Sequence, residues 1–109
     1  MEKINRKDIV LANVFFSDST ESKVRPCIVL SNEKYNSGGY ALVAQITTAG
    51  DEYCIPISEK DVDCNLCAGS GARFDILMKV RHNNITRKIG RASPEVCSRL
   101  VEAMCTLIR

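Results

Sequence analysis

Up to residue 93 the apolar residues of this chain come only in short bursts, and that punctuation limits what it can fold into. DIVLANVFF (8–16), VRPCIVLSN (24–32), YALVAQITT (40–48), YCIPI (53–57), RFDILMKV (73–80) and ITRKI (85–89) are too short for confident helices and rich in branched or aromatic residues. They read as six strands. SDSTESK (17–23) is a polar loop, Asn36 to Gly39 form a strong turn signal, Ala49–Gly50 marks a break, and 58–71 reads as irregular. Pro26 falls near the start of the second strand, where a missing N–H is tolerable. At Ser93 the pattern changes. Ser93 is a good N-cap, Pro94 suits the first helical position, and Glu95 favours the positive end of the dipole. Val96, Leu100, Ala103, Met104, Leu107 and Ile108 then recur at helical spacing. Antiparallel strands followed by one helix give a mainly β fold: a small, strongly curved sheet or open barrel with the helix packed on it.

A chain of 109 residues is expected to form a single domain, 1–109, with a core large enough to fold without a metal or disulfide. No apolar run approaches the ~20 residues needed to cross a bilayer, and the charged N-terminus lacks a signal-peptide core, so the expected location is the cytoplasm, away from membranes. The six cysteines are accordingly read as reduced thiols. A net charge of +2 neither demands nor excludes nucleic acid, because a local basic face suffices to attract phosphate.

Several chemistries lack their residues. There is no Gly-rich phosphate loop, no nucleophile elbow and no cluster of carboxylates for two magnesium ions. His82 is the only histidine, which excludes a two-histidine nuclease. An enzyme built on this sequence works with arginine, threonine and a carboxylate.

Four blocks, DIVLANVFFSDS, KVRPCIVLSN, ALVAQITT and ARFDILMKVRHNNITRKIGRAS, resemble the PemK/MazF family of toxin ribonucleases in order and spacing across nearly the whole chain. Residues 51–72 match weakly. The resemblance implies an SH3-like barrel with a C-terminal helix, and a homodimer that binds single-stranded RNA across its interface. It implies an mRNA interferase, a metal-independent and sequence-selective endoribonuclease of a toxin–antitoxin system, restrained by a cognate antitoxin protein. No cofactor and no metal are expected. By resemblance, Arg25 stands at the catalytic arginine, Thr47 at the active-site threonine, and Arg73 with Asp75 at the Arg-x-Asp pair of the PemK-type branch. Cutting RNA without metal requires a base for the 2′-OH, an acid for the leaving 5′-oxygen, and positive charge on the phosphorane. Asp75 is the candidate base, Arg25 and Arg73 the phosphate clamps, and Thr47 a hydrogen-bond partner of the phosphate. The expected products carry 2′,3′-cyclic phosphate and 5′-hydroxyl ends. Ser17, Asp18 and Ser19 in the first loop, with Lys23, Thr48, Arg87 and Lys88, are candidate RNA contacts. Some family members place a histidine in that loop; this chain does not.

Each assignment has a plainer competitor. Arg25 is also explained as an exposed strand arginine in an ion pair, and Thr47 by strand propensity, with Thr48 beside it leaving the choice uncertain by one residue. Arg73 and Asp75, two apart on a strand, fit a surface pair worth under about 1 kcal/mol. Arg87, Lys88 and Arg91 fit an RNA contact or a solvated edge equally. Cys64-x-x-Cys67 invites a metal or redox role, although a structural zinc site wants four ligands and one pair supplies two. Cys27, Cys97 and Cys105 read as small buried hydrophobes, and His82 as a solvated loop residue. The alternative function is a toxin of the same fold that binds a protein target such as a topoisomerase instead of cutting RNA.

Overall fold

The first strand, β1 (Asp8–Phe15), buries Ile9 on one face and Val10, Ala12 and Val14 on the other, which explains why residues 9–12 are an unbroken apolar run instead of alternating. In the computed structural model, which describes residues 3–15 and 22–109, Val10, Ala12 and Val14 enter one core with Cys27, Val29, Ala41, Val43, Val80 and Ile85. Ile9 points into a second core with Ile28, Ala44, Ile46 and Ala72. A single sheet with apolar residues on both sides must curl to cover them, and this one does.

Six further strands follow: β2 (Ser22–Val29), β3 (Tyr40–Thr47), β4 (Cys54–Pro56), β5 (Gly71–Arg73), β6 (Met78–Arg81) and β7 (Ile85–Arg91). All pairings are antiparallel, in the order β4-β5-β3-β2-β1-β7, and the path does not close. The expected curved sheet with a C-terminal helix is what forms. Helix α2 (Pro94–Thr106) starts where the sequence indicates, with the Ser93 side chain accepting from the Val96 N–H at 3.1 Å. It buries Val96, Cys97 and Leu100 in the second core.

Two details depart from the sequence reading. The stretch 73–80 is not one strand. The outer edge of β3 is shared: β5 takes Ile46 and Thr47, while β6 takes Tyr40 to Val43. Between these pairings β3 has only Ala44 and Gln45, whereas the other chain must accommodate Arg73 to Leu77, so it bows out and leaves Ile76 and Leu77 half exposed. A one-turn helix, α1 (Glu33–Asn36), also precedes the turn at Gly38–Gly39. It exists to bury Asn36, whose side chain donates to the carbonyls of Ile4 (3.3 Å) and Ser31 (3.0 Å) and accepts from the Ser31 hydroxyl. That satisfied polar cluster fastens the N-terminal segment to the sheet.

The stretch 58–71, expected to be irregular, is so up to Ser70, apart from a 3-10 turn at Glu59–Asp61, while Gly71 already belongs to β5; the loop is well anchored. Val62 bridges to Ala92, the Asp63 N–H donates to the Arg91 carbonyl (3.2 Å), and the Arg91 N–H donates to Asp63 Oδ1 (2.5 Å). The Ile57 N–H donates to the Ser70 carbonyl (3.0 Å), joining the two ends, and the Ser93 N–H donates to the Asp61 carbonyl (2.7 Å).

Candidate active site where two strands part

Pro26 has a larger part than its sequence position suggests. It lies in the middle of β2 and opposes Leu11 of β1, but pairing of β2 with β3 begins only at Cys27, opposite Gln45. With no N–H to donate, proline is a natural end for that ladder. Beyond it the strands separate, and the gap is a cleft of about 390 Å³. Leu11, Pro26, Ile46, Leu66 and Ile89 supply its apolar lining, and Arg25, Gln45, Thr47, Thr48, Asn65 and Ser70 its polar one. Extending the β2–β3 register past the last pair would set Arg25 opposite Thr47. The two residues assigned by resemblance to clamp and bind phosphate therefore line the same gap.

Arg25 is half-buried and, among the described residues, has no carboxylate within ion-pair distance. Among those residues the ion-pair reading of this arginine does not describe it. A guanidinium in a part-apolar cleft, with no counter-ion among the described residues, can receive an anionic oxygen. Thr47 Oγ1 accepts from the Ala49 N–H at 3.1 Å, which orients the hydroxyl and leaves its proton to donate outward. Thr48 lines the same cleft and is more exposed.

Arg73 and Asp75 form a separate unit. Arg73 Nε donates to Asp75 Oδ1 at 2.8 Å and Nη2 to Asp51 Oδ2 at 2.7 Å, while Nη1 lies 3.9 Å from Cys54 Sγ. Burial opposes the charge on this guanidinium, but Asp75 and Asp51 outweigh it and its pKa is raised. Neither residue lines the Arg25–Thr47 cleft. They are its neighbours along the sheet: Gly71 opposes Thr47, and Arg73 stands two residues further along β5, roughly 7 Å away by strand rise. Asp51 and Cys54 were not evident as partners of Arg73, because only the fold brings the 50–54 turn against β5.

The other candidate contacts divide. Lys23 is exposed on β2 two residues before Arg25, and Arg87 is exposed on β7 opposite Leu11. Lys88 is held inward: its ammonium lies 3.0 Å from Asp8 Oδ2 and donates to the Lys3 carbonyl at 3.0 Å. Arg91 also approaches Asp8, at 3.5 Å, and Asp8 is fully buried. Part of the basic cluster thus serves a buried carboxylate. Ser17, Asp18 and Ser19 lie outside the described residues. His82 is half-buried with Nε2 3.2 Å from the Tyr40 carbonyl, so it is not the freely solvated loop residue expected. Cys27 and Cys97 are buried and Cys105 half-buried; burial pushes the Cys27 thiol up to about 12. Among the described residues no three His, Cys, Asp or Glu side chains gather as a metal site, and no helix is long and apolar enough to cross a membrane.

A family model described as the PemK-like, MazF-like toxin of type II toxin-antitoxin systems matches residues 5–108. No curated protein sequence matches. Among solved structures, a MazE–MazF complex from Deinococcus radiodurans superposes with a TM-score of 0.78 at 16% identity, covering 99% of this chain and 97% of that one. A mycobacterial endoribonuclease in complex with its cognate antitoxin gives 0.75 at 13% identity, over 97% and 93% of the two chains. The toxin MazF-mt6 of Mycobacterium tuberculosis gives 0.71 at 22% identity, over 91% and 93%.

Proposed function

The chain belongs to the PemK-like, MazF-like toxins of type II toxin-antitoxin systems, and from that premise we propose that it is an endoribonuclease that cuts single-stranded RNA at the parted end of β2 and β3. The observation that carries this reading is Arg25: a guanidinium with no carboxylate partner among the described residues, sharing a cleft with the Thr47 and Thr48 hydroxyls. Such a cleft suits a phosphodiester. Arg25 donates paired N–H bonds to its non-bridging oxygens, Thr47 donates a third, and the apolar lining keeps these bonds strong by limiting water. Charge that grows on the phosphorane is then met by donors already in place.

The base is Asp75, which takes the 2′-OH proton as that oxygen attacks phosphorus; the 2′,3′-cyclic phosphate forms as the bond to the 5′-oxygen breaks, and that oxygen takes a proton from solvent to leave as a hydroxyl. Arg73 holds the carboxylate by one oxygen and leaves the other available. This assignment requires the RNA to run from the Arg25–Thr47 gap past Gly71 towards Arg73. Lys23 and Arg87 flank that course as phosphate contacts. The enzyme works in the cytoplasm as a homodimer, for which half-exposed Ile76 and Leu77 offer an apolar surface, and a cognate antitoxin restrains it. Complexes of structural neighbours with MazE or a cognate antitoxin support that last point.

The test is cleavage of a long mixed-sequence RNA in excess EDTA by the wild type and by Arg25→Ala. Discrete fragments with cyclic phosphate ends from the wild type, falling by about 10²–10³ in the variant, are expected for loss of a transition-state donor. Intact RNA with a folded wild type would instead point to a protein target.

A further inference from the structure

One part of the cleft wall is neither helix nor strand, and it carries two thiols. Cys64 and Cys67 are separated by Asn65 and Leu66, both are free, and both line a single cavity of about 450 Å³. Cys67 is exposed and also lines the Arg25–Thr47 cleft, as do Asn65 and Leu66. We propose that Cys64 and Cys67 close into a reversible disulfide that deforms this wall and stops RNA cutting, with a small-molecule disulfide such as oxidised glutathione as the oxidant. The inference rests on reading the cleft as the RNA site.

The geometry makes the wall the part that moves. Cys64 packs against Gly90, where an added Cβ would fall 2.9 Å from its sulfur. At the other end the Cys67 carbonyl accepts from the Ser70 N–H (3.2 Å) and hydroxyl (2.6 Å), in a turn that includes Gly69 at φ +81°. A disulfide requires the two Cα atoms to lie within about 4.4–6.8 Å. With Cys64 packed against Gly90 and Cys67 held in the turn to Ser70, any contraction falls on Asn65 and Leu66, which line the cleft beside Cys67. Cys27 and Cys97 compete poorly, since both are buried and burial raises the pKa of each.

The chemistry balances as a thiol–disulfide exchange. The Cys67 thiolate attacks one sulfur of oxidised glutathione and releases one glutathione thiolate. The Cys64 thiolate then attacks Cys67 Sγ and releases the second. The protein loses two hydrogens, and one small disulfide becomes two thiols. Cys64 is raised above the ordinary thiol pKa by its burial and by Asp63, which lowers the fraction of thiolate available for the second step.

The experiment incubates full-length protein with oxidised glutathione, maps the linked peptides by mass spectrometry, and measures RNA cutting before and after added reductant. The expected wild-type product is a Cys64–Cys67 crosslink without an adduct, at least tenfold slower cutting, and full recovery on reduction. Cys64→Ser is expected to stop at a glutathione adduct on Cys67. Persistent free thiols, a lasting adduct in the wild type, or undiminished cutting by the crosslinked protein would each overturn the proposal. A reduced protein that never cuts RNA defeats the ribonuclease reading instead, and the crosslink map distinguishes the two failures.

Discussion

Replacing Gly90 with alanine tests how the wall of the cleft is held. Gly90 lies in β7 opposite Ile9, and a Cβ built on it would stand 2.7 Å from both Asp63 Oδ1 and Cys64 Cβ. Carbon atoms pack comfortably at about 3.5–4.0 Å, so the 63–64 backbone must retreat by about 1 Å. Retreat strains the reciprocal bonds between Asp63 and Arg91, one of which spans only 2.5 Å. Overpacking costs about 1–3 kcal/mol and a weakened hydrogen bond about 1, so the expected loss is about 2–4 kcal/mol. For a domain near this size that lowers the melting temperature by about 10 °C or more. The assay is denaturant and thermal unfolding of Gly90→Ala beside Gly38→Ala, whose Cβ meets nothing closer than 3.4 Å. Gly38→Ala is expected to be neutral or slightly stabilising. A Gly90→Ala protein within about 0.5 kcal/mol of the wild type would refute the account, because no backbone retreat could then have been needed.

Asp8→Asn removes the charge of a fully buried carboxylate that accepts from the Asn5 N–H (2.7 Å) and meets Lys88 and Arg91. Both cations keep some access to water, so the expected cost in denaturant unfolding is about 2–3 kcal/mol, at or below the range for a fully buried pair. Asp61 accepts from the Ser58 N–H (2.9 Å) and hydroxyl (3.0 Å), with Arg99 at 3.3 Å. The Ser58 backbone bond leads the causes that hold its pKa below the usual 3.8, against burial. Because the folded value is the lower one, its contribution is present above the unfolded pKa and is lost as pH falls through the folded value. Asp61→Asn is therefore expected to lower stability at neutral pH and to flatten the decline below about pH 4, read by unfolding as a function of pH; an unchanged acid limb would exclude this role.

Much of the fold was legible because its signals are local. Branched and aromatic bursts marked strands, and Ser93, Pro94 and Glu95 marked the helix start, since each of these preferences acts within a few residues. The split of 73–80 was not, because both halves are good strand sequence and the break exists only where two strands share the edge of β3. Helix α1 escaped for a similar reason: a single turn has no periodicity, and its purpose, the buried Asn36, depends on Ile4 across the sheet. At the site, Arg25 and Thr47 were named from their neighbours in sequence, and the fold adds that the parting of β2 and β3 puts both in one cleft. The ion pairs that occupy Arg73 and Lys88 depend on Asp51 and Asp8, which no local pattern links to them.

The pairing of β1 with β7 sets a condition on birth as well as on shape. Ile9 finds Gly90, and Asp8 finds Arg91, across nearly the whole length of the chain. Contacts so distant in sequence are entropically late. During synthesis, β1 has one of its two neighbours missing until the last strand has been made, and the second core awaits α2. The loop that walls the cleft takes its anchors from Arg91, Ala92 and Ser93, so it too must wait. A growing chain therefore has no finished cleft until residues 91–93 have been made and are free to pair with the loop.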